Sequence, residues 1–220
     1  MRVYLAKNLK EANRNSAADN RKILREHGVL MVNMMGSPGC GKTSLLEETL
    51  KRLSPRYRLA VIEGDLYTAE DAQRLAPWTS RIVQINTEGA CHLEANYIGH
   101  LLAQNSPALL DAEILFIENI GNLVCPAEFD LGEDIGVTLL SVTEGNDKLR
   151  KYPLAFKETR ATLITKLDLL EYVDFDLDHA TLDLKNINEQ AVIFPLSAKT
   201  GEGVKKWCDW LEHLLETKRK

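Results

Sequence analysis

Residues 36–43 read Gly36-Ser37-Pro38-Gly39-Cys40-Gly41-Lys42-Thr43 and fit the pattern G-x-x-x-x-G-K-[ST] at every position. No other feature restricts the fold as much, because such a loop works only between a strand and a helix. The apolar run 29–35 reads as a buried strand entering the loop. Thr43 to Leu53 reads as a helix with Leu45, Leu46, Leu50 and Leu53 on one side. The glycines let backbone N–H groups turn inward around phosphates, and the helix start adds the positive end of its dipole. In that arrangement Lys42 reaches the β- and γ-phosphates, the Thr43 hydroxyl holds Mg²⁺, and Ser44 adjoins the nucleotide. Cys40 fills a spacer position and needs no redox role.

The surrounding pattern predicts the scaffold. Apolar runs at 59–62, 82–85, 114–117, 136–142, 161–164 and 191–194 bring the strands to seven. Helical patterns lie at about 8–27, 69–76, 92–103 and 203–217. Such alternation predicts an α/β fold, a mostly parallel sheet flanked by helices on both faces. With 220 residues, no internal repeat and no Pro/Gly/Ser linker, a single domain over 1–220 is expected, opened by the helix at 8–27. The net charge is −5, with both signs interspersed, which argues against a basic face for nucleic acid. Lys218-Arg219-Lys220 reads as a solvated helix end. No apolar run approaches the ~18 residues needed to span a bilayer, and the start has no apolar signal core. The four cysteines do not resemble a disulfide framework. A cytoplasmic protein that avoids membranes is expected.

Two strand ends carry carboxylates. Glu63-Gly64-Asp65 closes the second strand, and Asp65 is the candidate for organising Mg²⁺ or the attacking water. Glu118 ends the fourth strand, where a Walker-B acid belongs, and Gly121 offers a backbone N–H to the γ-phosphate. Thr165-Lys166-Leu167-Asp168 resembles the guanine pattern N-K-x-D, with Thr in place of the usual Asn. An Asp there accepts from both N–H groups of guanine, which adenine does not offer, while Lys166 packs its stem on the purine. Ser197-Ala198-Lys199 resembles the second guanine loop. Together they favour GTP over ATP. With no arginine finger evident in cis, hydrolysis is expected to be slow.

Cys91-His92 and Cys125 offer thiolates and an imidazole, which suit Zn²⁺ or Ni²⁺ as oxygen ligands suit Mg²⁺. On spacing alone they read rather as small buried hydrophobes and a helix-cap donor. His100 reads as a surface residue, and nothing assigns a role to Cys208.

Several blocks taken in order resemble the HypB family, the GTPases of hydrogenase nickel incorporation, over nearly the whole chain. They are Glu63-Gly64-Asp65-Leu66 with Thr68 and Asp71-Ala72, Gly89-Ala90-Cys91-His92-Leu93, Phe116 through Pro126, and Thr143-Glu144-Gly145. The resemblance implies a SIMIBI-type P-loop GTPase and metallochaperone that assists nickel insertion into [NiFe]-hydrogenase. It implies that Cys91, His92 and Cys125 bind nickel or zinc, that GTP and metal promote a homodimer, and that a HypA-type protein is a partner. The hydrogenase large subunit is then reached indirectly. The chain shows no cysteine-rich motif or histidine-rich stretch ahead of the P-loop, so a separate tight nickel site or a storage role is not expected. A urease-type, UreG-like GTPase or another metallocofactor-assembly GTPase is the alternative.

Overall fold

Strand β1 (Leu30–Gly36) is buried from end to end, and its alternate side chains enter two different cores. Leu30, Val32 and Met34 pack beneath α2 (Lys42–Leu53) and α9 (Val204–Lys218), while Met31 packs on the other face with Leu24 of α1 (Ala6–Glu26) and Ile98 of α4 (Ala95–Gln104). A period-2 backbone with apolar residues on both faces is what a central parallel strand requires. The structure, a computed structural model, describes residues 6–65, 70–87, 89–104 and 106–219.

Six more strands join β1: β2 (Leu59–Asp65), β3 (Ile82–Asn86), β4 (Ile114–Glu118), β5 (Ile135–Ser141), β6 (Ala161–Thr165) and β7 (Val192–Pro195). Their order is β3-β2-β4-β1-β5-β6-β7, and every pairing is parallel. The direction of winding reverses about β1, so a crevice opens outside the carboxyl ends of β1 and its neighbours β4 and β5. The P-loop lies in that crevice.

On one face α2 and α9 are locked by a buried hydrogen bond, Trp207 Nε1 donating to Thr49 Oγ1 at 3.1 Å. This satisfies the indole N–H, which would otherwise offset much of what burying the ring contributes. A third core, with Leu140, Phe156, Ile164 and Leu184, lies under α7 (Pro153–Lys157) and α8 (Leu177–Ile187). Short helices α3 (Glu70–Leu75), α5 (Ser106–Leu109) and α6 (Asp147–Lys151) complete the set. Among the described residues no helix is long and apolar enough to cross a membrane.

All seven predicted strands are present, within a few residues at their ends. The differences lie in the helices. No element was expected at 147–157 or 177–187. Helices α6 and α7 are single turns divided by Tyr152-Pro153, too short to show a period. In α8 the apolar stripe is thin, and Leu182 is 60% exposed. The helix predicted at 92–103 begins only at Ala95, which leaves Cys91 and His92 in the loop before it.

Candidate functional site

Helix α2 is entered through Gly41, whose φ of 98° is a left-handed conformation that favours glycine. No side chain caps this helix, so its first backbone N–H groups face the crevice without the usual intrachain acceptor. An anion is the natural acceptor for them. The Lys42 ammonium reaches the carbonyls of Gly36 and Ser37 at 3.3 and 3.4 Å. Those contacts are long, so phosphate oxygens can displace them with shorter charge-assisted bonds. The cavity here, about 470 Å³, is lined by the loop and by Glu63, Glu118, Gly121 and Lys166.

Thr43 Oγ1 donates to Glu118 Oε1 at 2.7 Å, which brings together two of the three sequence-assigned Mg²⁺ residues. Glu63 stands opposite Glu118 in the β2–β4 register, is buried and lines the same cavity. The sequence offered Asp65 from this strand end. Its backbone closes β2, but its side chain lies outside what is described, as do Leu66 and Thr68 and the side chain of Asp71. Gly121 lies close to the P-loop, because a Cβ there would sit 3.0 Å from the Pro38 backbone. Arg74 of α3 also lines the cavity, tied to Glu47 at 2.9 Å and Ser44 at 3.3 Å. No motif singles out Arg74, and only folding brings it here.

The base-recognition residues surround a smaller cleft of about 280 Å³, lined by Ser44, Thr165, Lys166, Asp168, Ala198 and Lys199. Asp168 Oδ1 accepts from Ser197 Oγ at 2.6 Å, and Lys199 Nζ stands 3.7 Å from Oδ2. Ser197 thus orients the carboxylate while its other oxygen remains available. Lys166 donates to the Gly39 carbonyl at 2.7 Å, and its φ of 61° is the one non-glycine left-handed residue described. Thr165 lines the cleft while its hydroxyl donates to the Cys40 carbonyl at 2.6 Å and braces the P-loop. Its departure from the usual Asn leaves that bracing in place. Cys40 is buried, and burial pushes its thiol up to about 11, which fits a packing residue.

Cys91, His92 and Cys125 converge. The two Sγ atoms and an imidazole nitrogen lie within 4.8 Å of one another. Cys91 Sγ donates to Cys125 Sγ at 2.9 Å, and His92 Nδ1 is 3.5 Å from Cys91 Sγ. The Cys125 sulfur beside it holds the Cys91 thiol above its ordinary range. Burial lowers the His92 pKa against the pull of Glu94 and Glu128, so the ring is neutral at neutral pH, the form that binds metal. Its Nε2 is buried without a hydrogen-bond partner, and the ring stacks on Phe129 at 3.9 Å. Two sulfurs and one imidazole fit a borderline-soft divalent cation and leave a fourth tetrahedral position to another donor. His100 is exposed on α4 and stands outside the cluster.

The leading helix was legible only as polar and helix-prone, yet its buried asparagines hold this cluster's surroundings. Asn13 Oδ1 accepts from the Ala95 N–H that opens α4, and its Nδ2 donates to the Asp130 carbonyl, both at 2.8 Å. Asn20 Nδ2 donates to the carbonyls of Ala95 and Leu131 at 2.8 and 2.9 Å. Buried side chains that terminate two distant loops leave no periodic signal in a sequence.

Residues 30–195 match the family description "CobW/HypB/UreG, nucleotide-binding domain". A relative named hydrogenase maturation factor HypB, from Azotobacter vinelandii, is 45% identical over 196 residues, which is 89% of this chain and 64% of that protein. The chain therefore spans about two thirds of that relative's length. Among solved structures, the hydrogenase maturation factor HypB of Archaeoglobus fulgidus superposes with a TM-score of 0.87 at 38% identity, covering 93% of this chain and 99% of the other. HypB from Helicobacter pylori in complex with nickel superposes at 0.86 with 37% identity, covering 94% and 95%.

Proposed function

Since the chain belongs to the CobW/HypB/UreG family and, within it, to the HypB hydrogenase maturation factors, we propose that it is a GTP-hydrolysing metallochaperone that carries nickel toward [NiFe]-hydrogenase. The observation that carries this reading is a single stretch of chain. Residues 118–125 begin at the carboxylate bonded to Thr43, pass Gly121 against the P-loop, and end at the Cys125 thiol. Nucleotide and metal chemistry share one backbone segment.

The chain's own groups account for the hydrolytic half. The uncapped amides of α2 and the Lys42 ammonium bind the phosphates and, with the Gly121 N–H, stabilise charge that develops on the γ-phosphoryl oxygens. Thr43 and Glu118 would hold Mg²⁺, which supplies further neutralisation of the β- and γ-phosphates. Glu63 or Asp65 orients water at the mouth of β2. Asp168, set by Ser197, selects guanine. Arg74 lines the cavity and pairs with Glu47.

Nickel is the cargo. Cys91, His92 and Cys125 are its ligands, and a second copy of the chain completes the set. Supporting this is an exposed apolar side chain beside a ligand: Val124, next to Cys125 in the chain, is 52% exposed. GTP then favours the metal-holding dimer, hydrolysis loosens it, and a HypA-type protein in the cytoplasm receives or supplies the metal. Sedimentation with Zn²⁺ or Ni²⁺, with GDP against a non-hydrolysable GTP analogue, tests this. The dimer is expected with analogue plus metal. A monomer under every condition, binding metal regardless of nucleotide, refutes it.

A further inference from the structure

The loop carrying Cys91 and His92 has no regular secondary structure, so its position depends on what its backbone is tied to. On one side, Leu93 N–H reaches Asn119 Oδ1 at 3.4 Å, while Asn119 Oδ1 also accepts the nearer Ile120 N–H at 2.9 Å. On the other side stands Asn122. Its Nδ2 donates to the Cys91 carbonyl at 3.2 Å, and its Oδ1 accepts from the Val124 N–H at 2.9 Å. The amide orientation is unambiguous, because a carbonyl only accepts and an N–H only donates. One side chain thus fastens both sulfur-bearing stretches, and the sulfurs they carry are 2.9 Å apart.

The backbone of the same residue runs beside the nucleotide site without lining its cavity. Asn122 pairs with Gly36, the first P-loop glycine, in an isolated antiparallel bridge. Its neighbour Gly121 lines the phosphate cavity and packs on Pro38. A shift of Gly121 toward a γ-phosphate therefore moves Asn122, and with it the Cys91 carbonyl and the Val124 amide next to Cys125. We propose that Asn122 is the positioning residue that couples nucleotide state to the separation of the Cys91 and Cys125 sulfurs. This rests on the metallochaperone reading above and names how its two sites communicate. Asn122 touches neither cargo nor phosphate through its side chain, and it is only half-buried, so its replacement spares the core.

The test uses the full chain with Asn122→Ala, which removes both side-chain bonds, and Asn122→Asp, which keeps the acceptor for Val124 but loses the donor to Cys91. Two ratios are measured between a non-hydrolysable GTP analogue and GDP. One is Zn²⁺ affinity, by competition with a chromophoric chelator; the other is the alkylation rate of Cys91 in metal-free protein. Coupling between two sites is typically ~5–150-fold. The parent is expected in that range, and both variants within about twofold of unity, with metal-free hydrolysis and analogue affinity unchanged. Variants that retain the parent's ratios overturn the assignment. So do variants that lose analogue affinity, because Asn122 would then belong to the nucleotide site itself. A parent whose own ratios are unity overturns the coupled metallochaperone reading, and Asn122's role falls with it.

Discussion

Replacing Asp168 by Asn tests the base site with least disturbance to the fold. In the structure Oδ1 accepts from Ser197 Oγ at 2.6 Å, and an asparagine oxygen preserves that bond. The second oxygen then becomes an amide donor facing the two N–H groups of guanine. The carboxylate is only 14% exposed, so solvent screens it little, whereas Lys199 beside it is 79% exposed and contributes almost nothing. Each charge-assisted hydrogen bond lost costs about 1.5–3 kcal/mol. Two of them amount to ~3 kcal/mol or more, a fall in GTP affinity of ~10²-fold or more. Xanthine presents an acceptor where guanine presents its amino group, so XTP should gain. The assay is competition by GTP, XTP and ATP against a fluorescent GTP analogue, on parent and variant. Equal affinity of the parent for ATP and GTP, or a GTP loss under about threefold in the variant, refutes the assignment.

Lys42→Ala should abolish turnover and weaken GTP binding, and hydrolysis undiminished in that variant would show that another site does the chemistry. Burial raises the Cys40 and Cys208 thiols to about 11 and about 12, so their thiolate fraction falls. At pH 7.5 it is roughly 1 in 3,000 or less, and mass spectrometry after brief alkylation should find label only on Cys91 and Cys125 of the folded protein. Asn20→Ala removes the donor from two buried carbonyls, Ala95 and Leu131, and should destabilise by ~2–4 kcal/mol in chemical denaturation. A loss under about 0.5 kcal/mol would mean that water replaces the amide there.

The sheet was readable because each strand is a short apolar run between turn residues, and the inner strands β1, β4 and β6 are buried on both faces. The P-loop, Glu118 and Asp168 were readable because their chemistry depends on sequence-local spacing. Glu63 was not distinguished from Asp65, since register with Glu118 across β2 and β4 is a property of the sheet, not of either strand. Arg74, Phe129, Asn13 and Asn20 reach their sites from segments far away in sequence, and nothing local marks them. For Thr165 the motif gives a position but no direction for the side chain. Its hydroxyl points at the Cys40 carbonyl.

The start of α2 has no cap of its own, and this ties the lifetime of the protein to the metabolism around it. A ligand at a hundred times its dissociation constant adds ~2.7 kcal/mol to stability, and guanine nucleotide supplies acceptors that this helix lacks. Thermal unfolding should therefore shift upward with GDP and fall back when nucleotide is stripped, and an unchanged midpoint would refute this. In a cell short of guanine nucleotide, the chain is deprived of part of its architecture as well as its fuel. Proteolysis of the emptied form would then lower its abundance as that pool shrinks.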